Sequence, residues 1–185
     1  MPTLKDIERV FECEANTLAT PPFITPLVSG ATLCSIVVPT RRAGYLVRAV
    51  VNWSVTFTPL LVPIPLTVPG FAQVTFQIFK DGGPIAIVTD SAGQQGFSVD
   101  ITVPFSTASS TFETTAIQIL DTSSVFSVTN PISLFELRAT NVVLSPPLNV
   151  LGTVVTLAGS ASAAQGLVSL VVEEIDVCRA ASLNM

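Results

Sequence analysis

The densest group of acids, Glu173, Glu174 and Asp176, is the first place to seek an ion site, because calcium takes oxygen ligands and the fold could bring Asp90 or Asp121 alongside. On a strand, however, alternation puts Glu174 and Asp176 on one face and Glu173 on the other. The carboxylates then do not converge, and a solvated strand end is the expectation. A glycosidase pair would need two acids facing each other across a cleft, and no pair can be nominated. Ser35, Ser98 and the Ser109–Ser110 pair have no base to activate them, since the chain contains no histidine, and no Gly-x-Ser-x-Gly elbow surrounds any of them. Arg41–Arg42 follows Pro39–Thr40 and precedes Gly44, the setting of a solvated turn rather than an anion site. These residues predict no catalytic residue, no metal and no cofactor: the protein is expected not to be an enzyme.

The three cysteines carry more information. Cys13 lies near the start, Cys34 in what reads as the first body strand and Cys178 just after the last. Three do not divide into intramolecular pairs, and their spacing matches no zinc motif. If the first and last strands are antiparallel neighbours, Cys34 and Cys178 can meet, which leaves Cys13 to reach another copy. Three reduced thiols in a cytosolic protein is the competing expectation.

The elements that would hold these residues are written in the composition. Of 185 residues 49% are hydrophobic and 11% charged, against about a quarter charged in an average soluble domain. Such a chain has apolar surface left over after folding, and subunit contacts are the usual cover. A transmembrane helix fits badly: Pro63, Pro65 and Pro69 break Leu60–Gly70, and Pro146–Pro147 breaks Val142–Gly159. Met1–Glu14 carries acids where a secretory signal would carry a basic region and an apolar stretch, so export would follow another route, such as lysis of the producing cell. A net charge of −5 with eight basic residues argues against nucleic acid.

Periodicity divides the chain into an arm (1–30), a body (31–178) and a tail (179–185). In the arm, Leu4, Ile7, Val10 and Phe11 fall at helical spacing, which predicts a short amphipathic helix over Thr3–Glu14. Pro21, Pro22 and Pro26 then stiffen an apolar extended segment whose Phe23, Ile24, Leu27 and Val28 would dock on this domain or on a neighbouring subunit.

The body alternates with period two. Val47, Ala49, Val51, Trp53, Val55 and Phe57 share one face of Tyr45–Thr58. Val74, Phe76 and Ile78 face inward before Asp81–Gly82–Gly83 turns the chain into Ile85–Val88. Phe97–Phe105 alternates as a further strand, as do Phe135, Leu137, Ala139 and Val143. Others are expected near Thr32–Val38, Glu113–Leu120, Gly152–Ala158 and Leu167–Val177. Eight or nine strands broken by Gly, Pro and Ser predict an all-β antiparallel sandwich, most simply an eight-stranded jelly roll.

The signal-less arm with Cys13, followed by segments such as YLVRAVVNWSVTF, AQVTFQIFKDGGPIAIV and LVSLVVEEID, resembles the small jelly-roll subunits of bacterial spore surfaces, the exosporium proteins and endospore-appendage subunits. The resemblance implies an arm that docks on the next subunit, Cys13 as its cross-linking position, and Cys34 or Cys178 as receiver. The chain departs from that pattern in having one arm cysteine rather than a cluster, and a longer arm with a helical beginning. A second resemblance, to the trimeric domains of the tumour-necrosis-factor and complement-C1q type, implies the same fold in a compact trimer.

Two functions follow as expectations. One is a structural subunit that self-assembles into a fibre, shell or surface layer at a cell or spore surface, with copies of itself and other surface-layer proteins as partners. The other is a trimeric module that displays loops such as Leu60–Gly70 or Asp90–Gly96 to a carbohydrate or protein ligand. A cytoplasmic location is the alternative to the surface.

Overall fold

Branched and aromatic residues at alternate positions favour extended backbone. A computed structural model, which describes residues 7–15, 25–41, 43–57, 66–99, 109–126, 130–144, 148–150, 153–155 and 161–175, is built almost wholly of strands. In chain order these are β1 (Ile7–Ala15), β2 (Thr25–Pro26), β3 (Ala31–Pro39), β4 (Gly44–Phe57), β5 (Leu66–Lys80), β6 (Gly83–Val99), β7 (Ser109–Asp121), β8 (Ile132–Leu144), β9 (Leu148–Val150), β10 (Thr153–Val155) and β11 (Ala161–Ile175). A single helical turn, α1 (Ser123–Phe126), follows β7.

One sheet runs β1-β11-β4-β7, with β2 also paired to β11, and the other runs β3-β8-β5-β6; β9 and β10 pair separately. All these pairings are antiparallel. Two four-stranded sheets in this order, with the first and last strands adjacent, make an eight-stranded jelly roll.

The first strand of the roll comes from the segment expected to be a helix. Ile7–Ala15 is extended and pairs with β11 from Ile7↔Ile175 to Ala15↔Val168. Without it the N–H and C=O groups along this side of β11 would form an open edge, and satisfying that ladder outweighs a local helical pattern. The segment also reads with period two: Phe11 and Cys13 are half-buried against the core, while Val10, Glu12 and Glu14 are exposed. β1, β2 and Leu27 therefore belong to the body rather than to a separate arm.

The body strands match the alternation closely. Val47, Ala49, Val51, Trp53 and Val55 of β4 are buried, as are Val74, Phe76 and Ile78 of β5. They join Phe135, Leu137, Val168, Leu170 and Val172 in one core between the sheets. Aromatic rings meet within it, Trp53 with Phe76 at 6.2 Å and Tyr45 with Phe135 at 5.7 Å between centroids. Such contacts add about 0.5–1.5 kcal/mol beyond area burial.

The expected hairpin forms. Lys80 pairs with Gly83, and Asp81 (φ 51°) and Gly82 (φ 83°) both take the positive angles of a tight turn that matches strand twist. Asp81 fixes this turn to β8: its N–H donates to the Leu134 carbonyl at 2.9 Å, and its Oδ1 accepts from the Leu134 N–H at 2.8 Å.

Two expectations need correction. Phe97–Val99 is the end of β6, which runs unbroken from Gly83, so Asp90–Gly96 is strand and not a display loop. Val143 faces outward at 38% exposure while Val142 packs on the core, because the register slips between Thr75 and Phe76 and carries Thr140 out of the ladder. Residues 100–108 and most of Leu60–Gly70 lie outside the described residues.

Candidate functional site

Cys13 and Cys34 are joined in a disulfide within the chain, with Cα atoms 6.2 Å apart. The expected meeting of Cys34 with Cys178 is overturned, because β1 rather than β3 is the first strand of the roll. β3 pairs with β8, and it lies against β1 as the facing edge strand of the other sheet. Cys13 is correspondingly committed to its own chain rather than to a neighbour, and Cys178 lies outside the described residues.

The docking residues are divided. Leu27 is buried in the chain's own core at 5% exposure, Val28 is exposed, and Phe23 and Ile24 lie outside the described residues. Ser35 is exposed on β3 of one sheet, and Ser110, on β7 of the other, shares a 2.8 Å hydrogen bond with Thr56. Arg41 is exposed, and its N–H donates to the Tyr45 hydroxyl at 3.0 Å. Arg42 and Asp176 lie outside the described residues.

Glu173 and Glu174 do fall on opposite faces, but neither is solvated. They are 7% and 1% exposed, because β11 lies between β1 and β4 and each neighbour sends in an arginine. On the outer face Arg48 Nη2 donates to Glu173 Oε2 at 2.9 Å. On the inner face Glu174 stands opposite Tyr45 and Arg9 in the register, with Arg9 Nε 4.0 Å from its Oε2, too far for a hydrogen bond. Among the described residues no group of three metal-ligating side chains converges.

The most developed polar constellation lies at the Tyr45 end of the roll and is assembled from four strands and the turn after β7. Lys80 and Asp121 have side chains only 9% exposed, and Lys80 Nζ donates to Asp121 Oδ2 at 2.6 Å. The same ammonium reaches Ser123 Oγ at 2.9 Å and Ser124 Oγ at 2.6 Å, and lies 5.2 Å and 5.7 Å from the ring centroids of Tyr45 and Phe135. Its three protons are thus engaged. Burial works to raise the Asp121 carboxyl. The hydrogen bonds from Lys80 and from the Ser123 N–H and hydroxyl outweigh it and hold the group below its ordinary value. Tyr45 shifts upward, chiefly through burial, against the lowering hydrogen bond from Arg41 and with added repulsion from Glu174 and Asp121.

Beside this pair opens a cavity of about 370 Å³, lined among others by Thr40, Pro84, Ile85, Asn130 and Ser133. At the β6–β7 side of the sandwich a second polar group bridges the sheets. Trp53 Nε1 donates to Thr115 Oγ1 at 3.0 Å, and Thr115 Oγ1 donates to Asp90 Oδ2 at 2.6 Å.

Sequence reasoning did not nominate Lys80, Tyr45 or Thr115 for these groups, although a signal was present. Lys80 continues the inward series Val74, Phe76, Ile78; Asp121 continues Ile117, Ile119; Asp90 follows Val88 by two. A charged residue on the core side of an alternating strand must find a partner inside. Set against known proteins, the chain matches no protein-family model, and no curated protein sequence aligns with it significantly.

Proposed function

We propose that the protein is a non-enzymatic structural subunit that self-assembles into a fibre, shell or surface layer at a cell or spore surface. The observation that carries this reading is an apolar cluster on the outward face of β3 and β8. Val37 stands opposite Leu134 and Pro39 opposite Ile132 in the register, with Val37, Ile132 and Leu134 exposed at 54%, 55% and 37%. β3 is also an edge of its sheet, so the cluster borders a row of backbone groups open to pairing. Exposed Val10, Val50, Ile87 and Leu120 extend the apolar surface over both sheets. With β1 and Leu27 engaged in their own fold, self-association passes from the arm to these faces.

The Cys13–Cys34 bond supports an oxidising location, since disulfides persist chiefly outside the reducing cytosol. It leaves Cys178 as the one cysteine outside that pair, the position for a cross-link between copies. The alternative reading, a trimeric binding module of the tumour-necrosis-factor and C1q kind, shares the jelly roll and is favoured by the cavity at the Lys80 end.

Negative-stain microscopy with sedimentation tests the proposal. Filaments or sheets that disappear in a Val37→Lys, Ile132→Lys variant with unchanged circular dichroism are the expected result. A monomer at micromolar concentration in both oxidising and reducing buffer would overturn the structural reading, because a specific contact burying above about 1,000 Å² should hold at that concentration. Discrete trimers would favour the binding module.

A further inference from the structure

We propose that the cavity beside Lys80 and Asp121 binds a neutral, polyhydroxylated ligand such as a sugar ring, a role that goes beyond the structural one. Its volume of about 370 Å³ falls within the roughly 300–1,000 Å³ range of small-molecule sites. Two of its polar lining residues are buried, Ser124 at 4% exposure and Ser133 at 2%, while Asp81, Ser123 and Asn130 stand at its exposed rim.

Charge decides the ligand class. Lys80, the cation of the lining, has its charge offset by Asp121 and its protons committed to Asp121, Ser123 and Ser124. Asp81, the carboxylate of the lining, uses Oδ1 to hold the Leu134 N–H and keeps Oδ2 as an acceptor. An anion entering here would meet a free carboxylate oxygen and no unpaired cation. A cation would meet the buried ammonium.

What remains uncommitted is hydroxyl and amide capacity. Ser124 Oγ accepts from Lys80 and retains its own proton to donate. Thr40 and Ser133 share one hydrogen bond of 2.9 Å, which uses one hydroxyl proton of the two. Asn130 adds an exposed side-chain amide with both donor and acceptor. Pro84 and Ile85 supply an apolar wall. Ile85 is the extra residue where the β5–β6 register shifts between Ile78 and Phe79, a bulge of the kind that re-aims a side chain. A sugar ring presents the matching set, hydroxyls around its edge and C–H groups on its face.

The test is a titration of the isotope-labelled full chain, followed by backbone amide shifts, with glucose, galactose and N-acetylglucosamine, and in parallel with inorganic phosphate and sulfate. Saturable shifts at Gly82, Gly83, Ile85, Ser123 and Ser124 with at least one sugar, and none with either anion, are expected. Asn130→Ala, at an exposed position outside the strands, should preserve the spectrum elsewhere and weaken binding roughly three- to tenfold, the loss of one or two hydrogen bonds. Ser133→Ala should weaken it similarly. Absence of saturable shifts with every sugar, anion binding in place of sugar binding, or sugar shifts indifferent to both variants would each overturn the assignment.

Discussion

Removing the Cys13–Cys34 bond should cost the fold about 3 kcal/mol. The two residues lie 21 apart, and closing a loop of that length lowers the entropy of the unfolded chain by roughly 11 cal/mol/K, worth about 3 kcal/mol at 25 °C. With an unfolding entropy of about 2.1 cal/mol/K per residue, a chain of 185 residues loses about 8 °C in Tm for that change. The measurement compares oxidised protein, reduced protein and a Cys13→Ala, Cys34→Ala variant by urea and thermal unfolding. Reduced protein keeps both sulfur atoms in place, so its loss isolates the covalent link from the smaller packing change at buried Cys34. Hydrogen exchange should quicken first in β1, which leaves as an edge strand. The reasoning fails if reduction leaves the unfolding midpoint unchanged, or if non-reducing electrophoresis and peptide mapping place Cys13 in a bond to a second chain.

Deleting residues 1–29 should abolish folding rather than release an intact body, because it removes β1, β2, Leu27 and half of the disulfide; a native-like β spectrum from the truncated chain would contradict this. Thr115→Val should destabilise by about 1–3 kcal/mol, since it leaves buried Trp53 Nε1 without its acceptor and Asp90 Oδ2 without its donor, and Trp53, the sole tryptophan, should report the change in its emission. Lys80→Met should cost about 3–5 kcal/mol by stranding the Asp121 carboxylate, and Lys80→Met with Asp121→Leu should recover much of that loss in equilibrium unfolding. Because the Asp121 carboxyl is lowered from its ordinary value of 3.8, its contribution is fully present above that pH and is lost as pH falls through the folded value. Asp121→Asn should therefore flatten the acid limb of a stability–pH curve.

Alternation made the body legible. Trp53, Phe76, Ile78 and Leu137 were assigned to the core from period two alone, and each is fully buried. The Asp81–Gly82 turn was legible because positive φ is a local demand that few residues meet. The first strand was not, because Leu4, Ile7, Val10 and Phe11 fall at helical spacing while only Phe11 and Cys13 carry the strand parity, and the deciding term is the ladder with β11, some 160 residues away. The cysteine pairing inherited that error: with β3 taken as the first strand, Cys34 was carried to the wrong neighbour. The Lys80 pole depended on knowing that β4, β5, β7 and β8 end together, which no local pattern states, although the inward parity of Lys80 and Asp121 already required a partner for each.

The pairing of Ile7 with Ile175 has a mechanical consequence. β1 begins and β11 ends at the same rung of one ladder, so tension applied at Ile7 and Ile175 pulls β1 away from β11 one rung at a time, in the geometry of a zip rather than of shear. The rungs at Arg9, Val10, Phe11 and Glu12 would part in turn, and the sixth, Cys13 opposite Leu170, is tied by the disulfide to β3 in the other sheet. Peeling stops there, and the load passes through a covalent bond into the second sheet while β11 stays laddered to β4. Under force, the oxidised molecule should extend by one short, reversible step and then hold.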